Sequence, residues 1–503
     1  MRRALNVLVC LLPCACASSQ RPEVVDVRQV SAARGAPRLA RVVDLGTGGV
    51  QSSGALALPA GEGRAVIGEL LALLGSSFGK QPTVTIAGLP AEVLAHLDGG
   101  GVVVRVPRGV DPGPAALRVT NEYGSSERAY PVRRLALVVA RGAVRTVALS
   151  SGGALERAGD LPLPGGRLVA LSSEGSLAYV AGETDAARLW VLDLTGSAPR
   201  LVKEHRLPGR RVQALAAATR APLGVVVTDS HLVVVDGRQV LPVALYAPRE
   251  LPRALLDRPV VAASVADGGE RLALLLADKN EVALFDARDP ARLGEPTLLT
   301  PMAEARLPLA LQLTFTPDGK LLWLLAGDNP RSIEGGFLPA QLAPIPTSVG
   351  PDGQLASPSP ATIALPHAVA PLSLALGPRE PTPPGTAIRT ESGSSALYAG
   401  VAASAALKEA GASEARGQLL RVGRGDRPEV VHEGTYYPAG LAVTGLSQRL
   451  LVLACRGRAG SARATLLSLS AWERSPSVTE QLLGPAPAPS ATPLSCGALA
   501  AQP

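Results

Sequence analysis

The sequence predicts an all-β protein, an antiparallel β-sandwich over residues 22–133 followed by a β-propeller over 134–484. Three observations lead there. Turn-formers are abundant, with 53 Gly and 45 Pro in 503 residues, which favours many short strands over long helices. Short apolar or alternating runs separated by Gly- and Pro-containing turns fill the first part of the chain. A paired strand pattern then recurs at near-regular spacing through the rest. The apolar fraction of 47% is ordinary for a globular chain. No apolar run of about 18 residues follows the N-terminus, so no internal membrane span is expected.

The N-terminus reads as a secretory leader. Arg2 and Arg3 form a charged region, Ala4 to Leu12 a short apolar stretch, and PCACASS (13–19) supplies small residues and cysteines. The apolar stretch is too short to span a bilayer. The segment resembles a bacterial lipoprotein signal, which implies a leader over 1–16 with lipidation at Cys16. Pro13 stands where that family prefers Leu. Cleavage after Ala17, in the pattern Ala15-Cys16-Ala17, would instead release a soluble protein. Ser18 and Ser19, with no Asp after the cysteine, suit an outer-membrane destination.

With the leader removed, Cys455 and Cys496 remain, an even pair that an oxidising compartment readily bridges. Neither has a CxxC neighbour or nearby His, so no metal or redox site is expected. Of 49 cations only five are Lys, and they are scattered. Losing Arg2 and Arg3 takes the formal charge from +7 to +5, and no basic stripe suggests nucleic acid.

Within 22–133 the informative stretches are the turn GSSFG (75–79), the strand VTIAG (84–88) with Pro90 after it, VVVRVP (102–107) and LRVTNEYG (117–124). Their succession resembles the IPT/TIG family of immunoglobulin-like domains, which implies a seven-stranded sandwich serving as a spacer or binding module. Gly75-Ser76-Ser77-Phe78-Gly79 also matches the nucleophile-elbow pattern G-x-S-x-G. That elbow needs a following helix, whereas Pro82 and the β-branched run Thr83-Val84-Thr85-Ile86 read as a strand, so Ser77 is not expected to be catalytic.

From residue 134 similar strands recur: LALVVA (135–140), LAYVAG (177–182), LGVVVTD (223–229), LALLLAD (272–278), LLWLLAGD (321–328), ALYAGVA (396–402) and LLVLACR (450–456). Turn centres near Gly175, Ala221, Gly268, Gly319, Gly393 and Gly445 are 46, 47, 51, 74 and 52 residues apart. A second strand of type x-Leu-x-Val-x-Asp usually follows, as in LWVLDL (189–194), LVVVDG (232–237) and VALFDA (282–287). Seven such repeats read as a seven-bladed propeller, with six or eight blades as the alternative, because no repeat alone could bury both faces of its sheet. The paired pattern is similar to the YVTN-type bacterial propellers. The long fifth spacing marks an irregular insertion at 328–366, and 485–503 reads as a Pro/Ala-rich tail.

Candidate chemistry is sparse. Asp193, Asp236 and Asp286 sit at equivalent strand ends and read as turn caps. The five His, at 96, 205, 231, 367 and 432, show no metal-ligand spacing. Asp229-Ser230-His231 holds triad residue types, but chain neighbours do not make the relay geometry. Arg424-Gly425-Asp426 spells an integrin tripeptide that chance explains. With 3 Trp, 7 Tyr and 4 Phe, stacking platforms for glycans or single strands are scarce. The expectation is therefore an exported, lipid-anchored protein of the bacterial cell envelope, a non-catalytic scaffold for envelope or cell-surface proteins. It would have no catalytic residues, metal or cofactor, no nucleic-acid partner, and membrane contact through the lipid alone. A propeller lyase or hydrolase, and a glycan- or small-ligand-binding module, are the alternatives.

Overall fold

The computed structural model describes Val24–Val25 and then Gly35 to Gln502, apart from internal stretches of which the longer are 47–55, 58–62, 238–243, 301–308, 328–339, 349–361, 379–394, 404–415, 457–462, 471–477 and 486–496, with several shorter ones. The leader, including Cys16, lies outside the described residues. Strands dominate; the one helical turn among the described residues is the 3-10 segment Pro290–Arg292. No helix among them is long and apolar enough to cross a membrane.

Two sheets pack face to face in the first unit. One runs Arg38–Gly46, Leu70–Ser76, Val102–Arg105, Val93–His96; the other centres on Gly113–Asn121, flanked by Thr83–Ile86 and by the strand that begins at Gly124. The period-2 alternation decides which residues meet. Leu71, Leu73, Val102 and Val104 face Ile86, Leu117, Val119 and Val132 in the shared core. Ala72, Leu74 and Val103 form a smaller cluster with Val43 and Leu45 on the reverse face. The hairpin Ile86-Ala87-Gly88-Leu89 turns on two positive-φ residues, Ala87 at 51° and Gly88 at 79°, whose twist matches the flanking strands.

The strand Gly124–Ala140 is 17 residues long and belongs to both units. Its first half pairs with Gly113–Asn121, and from Arg134 onward it pairs with Ala143–Leu149. At the crossing point Arg134 is fully buried, and its Nη2 donates to the Val110 carbonyl at 2.9 Å. Burial lowers the Arg134 guanidinium to about 10, and the nearby Asp111 carboxylate opposes that shift.

The remainder is a β-propeller. Its antiparallel sheets begin with the inner strands Gly166–Leu171, Val212–Ala217, Val260–Val265, Leu309–Phe315, Ala368–Pro378 and Tyr437–Val443. One more sheet is formed by the second half of the shared strand with Ala143–Leu149 and Leu155–Pro162, and its inner strand is Ala498–Ala501 from the far end of the chain. Each neighbouring pair of sheets encloses an apolar cluster, and the cycle closes where Ala136 and Val138 pack with Leu451, Leu453 and Leu466. Gln502 fastens this closure. It is fully buried, its Oε1 accepts from Leu135 N at 2.7 Å, and its Nε2 donates to Gly175 O at 2.7 Å.

Two stretches differ from expectation. Within 328–366, Gln341–Pro346 and Ile363–Ala364 are strands of the sheet built on Leu321–Gly327, so the segment is not uniformly an insertion. The tail 485–503 contains the closing strand. Pairing satisfies backbone groups that would otherwise lie bare beside the shared strand.

The first unit is docked on one face of the ring. Gly68, at φ +80°, lets the backbone press against the Glu174 carbonyl, where no side chain would fit. Arg105 Nε lies 3.4 Å from Glu174 Oε2. Arg108 is held below its ordinary value by burial, against the attraction of Asp267 and Glu174.

Candidate functional site

On the same face, two neighbouring sheets leave a cleft of ≈ 230 Å³. Asp236 at the end of His231–Asp236, Tyr246 beyond Ala244–Leu245, Glu270 ahead of Arg271–Leu276 and Arg288 just after Val282–Asp286 line it, over Gly268 and Gly269. The turn requires Gly269, whose φ is +77°, and its N–H closes on Ala266 O at 2.8 Å. Gly268 and Gly319 abut the two oxygens of the Glu270 carboxylate, so a side chain at either position would displace it. Backbone bonds bind the walls together. Arg220 N and Ala221 N donate to Asp267 O at 2.9 and 3.0 Å, and Ala287 N donates to Glu270 O at 2.9 Å. The Tyr179 phenol is pushed up by burial and, secondarily, by Asp236. Two carboxylates, a phenol and a guanidinium thus surround one small concave site.

Two of the three equivalent aspartates cap their turns, and the third lines the cleft. Asp193 caps its turn, Oδ1 accepting from Thr195 N at 3.0 Å and Oδ2 pairing with Arg200 Nη2 at 2.9 Å. Asp286 likewise accepts from Arg288 N at 3.1 Å. Asp236 lines the cleft. The cleft is invisible in the repeat, because it also needs Glu270 and Arg288 from the next sheet.

The other singled-out residues lie apart from the cleft. Ser230 Oγ and His231 Nδ1 are 2.8 Å apart, but Asp229 Oδ1 accepts instead from Arg210 N at 2.9 Å, so the three do not form a relay. Ser77 has φ 61°, and Asn121 Nδ2 braces its carbonyl at 2.6 Å; the next element is the strand Thr83–Ile86, not a helix. His432 stacks on Tyr436 with ring centroids 5.9 Å apart. Among the described residues no three His, Cys, Asp or Glu stand together as a metal site. Cys455 is disulfide-bonded; Cys496 and Arg424-Gly425-Asp426 lie outside the described residues.

No protein-family model and no curated protein matches the chain. Solved propellers resemble it. A candidate 6-phosphogluconolactonase from Bacteroides uniformis is 15% identical with a TM-score of 0.50, covering 73% of this chain and 99% of its own. A protein from Lactobacillus plantarum is 13% identical with a TM-score of 0.50 over 73% and 99%. A candidate 6-phosphogluconolactonase from Bacteroides fragilis is 14% identical, with a TM-score of 0.49 over 73% and 98%. At such identities the likeness is one of fold. It nonetheless corrects the expectation of a non-catalytic scaffold and of no enzyme, since the Bacteroides uniformis protein of similar fold carries a hydrolase name.

Proposed function

We propose that the protein is a propeller hydrolase that opens a small cyclic ester in the cleft between Asp236 and Glu270. The observation that carries this reading is the convergence of two carboxylates, Tyr246 and Arg288 on one concave site. Glu270, held by its flanking glycines, takes a proton from water. The water oxygen bonds to the ester carbon, and Tyr246 and Arg288 donate toward the carbonyl oxygen as its charge grows. The ring carbon–oxygen bond then breaks, and the proton passes to the departing alkoxide. Asp236 orients the water. Glu270→Gln should lower lactone hydrolysis by roughly 10²–10⁴-fold with the fold retained. Unchanged rates in pH-stat assays of Glu270→Gln and Asp236→Asn would remove the cleft from the reaction.

The same proposal extends to the architecture and its setting. The propeller has seven blades, supported by the closed cycle of sheets and inter-sheet cores. The first unit is an immunoglobulin-like sandwich of the IPT/TIG type, supported by its two packed sheets and the GSSFG and LRVTNEYG stretches, and the ring is of the YVTN type. The leader directs export and lipidation at Cys16, placing the chain in the cell envelope of a two-membrane bacterium, with envelope proteins as neighbours. Metabolic labelling with a fatty acid should mark the wild type and not Cys16→Ala; label retained in the variant would overturn that assignment.

A further inference from the structure

We infer that the cleft selects an uncharged ring ester and rejects a phosphorylated one, a deepening that rests on the hydrolase reading above. The first ground is charge. Asp236 and Glu270 face a single cation among the described lining residues, Arg288, whose Nε already lies 3.5 Å from Asp286 Oδ1 outside the cleft. A phosphate dianion would meet two carboxylates against one guanidinium, itself shared with Asp286.

The second ground is independent of side-chain charge. Proteins cradle phosphate with backbone N–H groups left unpaired at turns and helix starts. Here most of those groups are spent. Gly269 N donates to Ala266 O, Gly237 N to Pro222 O at 2.8 Å, Tyr246 N to Val234 O at 3.0 Å, and Leu223 N to Ala221 O at 2.7 Å. Ala221 N, Ala287 N and Arg288 N are committed as described above. The walls offer carbonyl, carboxylate and hydroxyl oxygens instead, which suit the hydroxyl groups of a neutral sugar-acid lactone. The cleft volume of ≈ 230 Å³ suits one such ring.

The test compares initial rates on glucono-1,5-lactone and its 6-phosphate, using wild type and Pro290→Lys. Pro290 lies on the cleft rim and has no part in the proposed chemistry. The neutral lactone should be preferred at least tenfold in kcat/KM, the difference residing in KM. Added salt should narrow the gap by screening. Pro290→Lys should raise activity on the phosphate several-fold while leaving the neutral rate unchanged. Equal or better turnover of the phosphate by the wild type overturns the inference. If neither lactone is hydrolysed the hydrolase reading fails, and calorimetric binding of the two compounds decides the charge preference alone: tighter binding of the neutral one sustains it, tighter binding of the phosphate ends it.

Discussion

Arg134 and Asp111 show how single residues report on the junction of the two units. Arg134 is buried where the shared strand changes partners, and the half-buried Asp111 acts on it as a counter-charge. Burial raises the Asp111 carboxyl above its ordinary 3.8, outweighing the opposing pull of Arg134. A carboxyl raised on folding binds its proton more tightly in the native state, so its contribution is greatest below 3.8 and is lost as pH rises through the raised value. Asp111→Asn should lack that loss. The difference in Tm, variant minus wild type, should grow between about pH 4 and pH 7; a flat difference would mean that Asp111 titrates alike folded and unfolded. Of this junction the sequence showed only two arginines in a row, since burial of one of them depends on Val110 folding back over it.

At the level of elements, legibility followed side-chain pattern. The strands Leu177–Glu183, Ala187–Asp193, Leu223–Thr228 and Arg271–Leu276 are apolar runs buried on both faces, and the repeat exposes them directly. Gln341–Pro346 is hidden because Pro344 and Pro346 interrupt the pattern. They are tolerated where the outer neighbour pairs only with Gln341 and Leu342. Ala498–Ala501 is hidden for a different reason. Three alanines and a leucine in a Pro/Ala-rich tail have little strand propensity, and they are extended because the ring leaves one edge of the shared strand to fill.

This closing strand bears on the disulfide. Cys455 ends the run Arg449–Arg456 opposite Tyr437, and the closing strand lies beside Tyr437–Val443, with Gly440 against Leu499. A Cys455–Cys496 bridge would therefore pin the closing strand to its neighbouring sheet, enclosing about 40 residues, for roughly 3–4 kcal/mol. Cys455→Ser and Gln502→Ala should each lower Tm, the latter by the equivalent of about 1–3 kcal/mol for its buried partners. A non-reducing peptide map that joins Cys455 to any other residue would refute the pairing.

Across the whole molecule, the cleft was out of reach of the sequence while the ring was not. Asp236 and Tyr246 belong to one repeat and Glu270 and Arg288 to the next, so no local spacing brings them together. Reading the aspartates as caps holds for Asp193 and Asp286, and nothing in that reading marks Asp236 as lining a cleft. The scaffold expectation failed on the same account, since it rested on the absence of a motif, and a site assembled across a sheet boundary leaves none.

Circular closure also sets an order of events during synthesis. Until residues 498–501 emerge from the ribosome, the sheet on the shared strand has a bare inner edge, next to the docked first unit. Nascent chains therefore cannot reach the native state piecewise from the N-terminus, as a string of independent modules would. Any truncation that removes the latecoming strand should yield an open ring whose bare edge is prone to pair with that of a neighbouring copy.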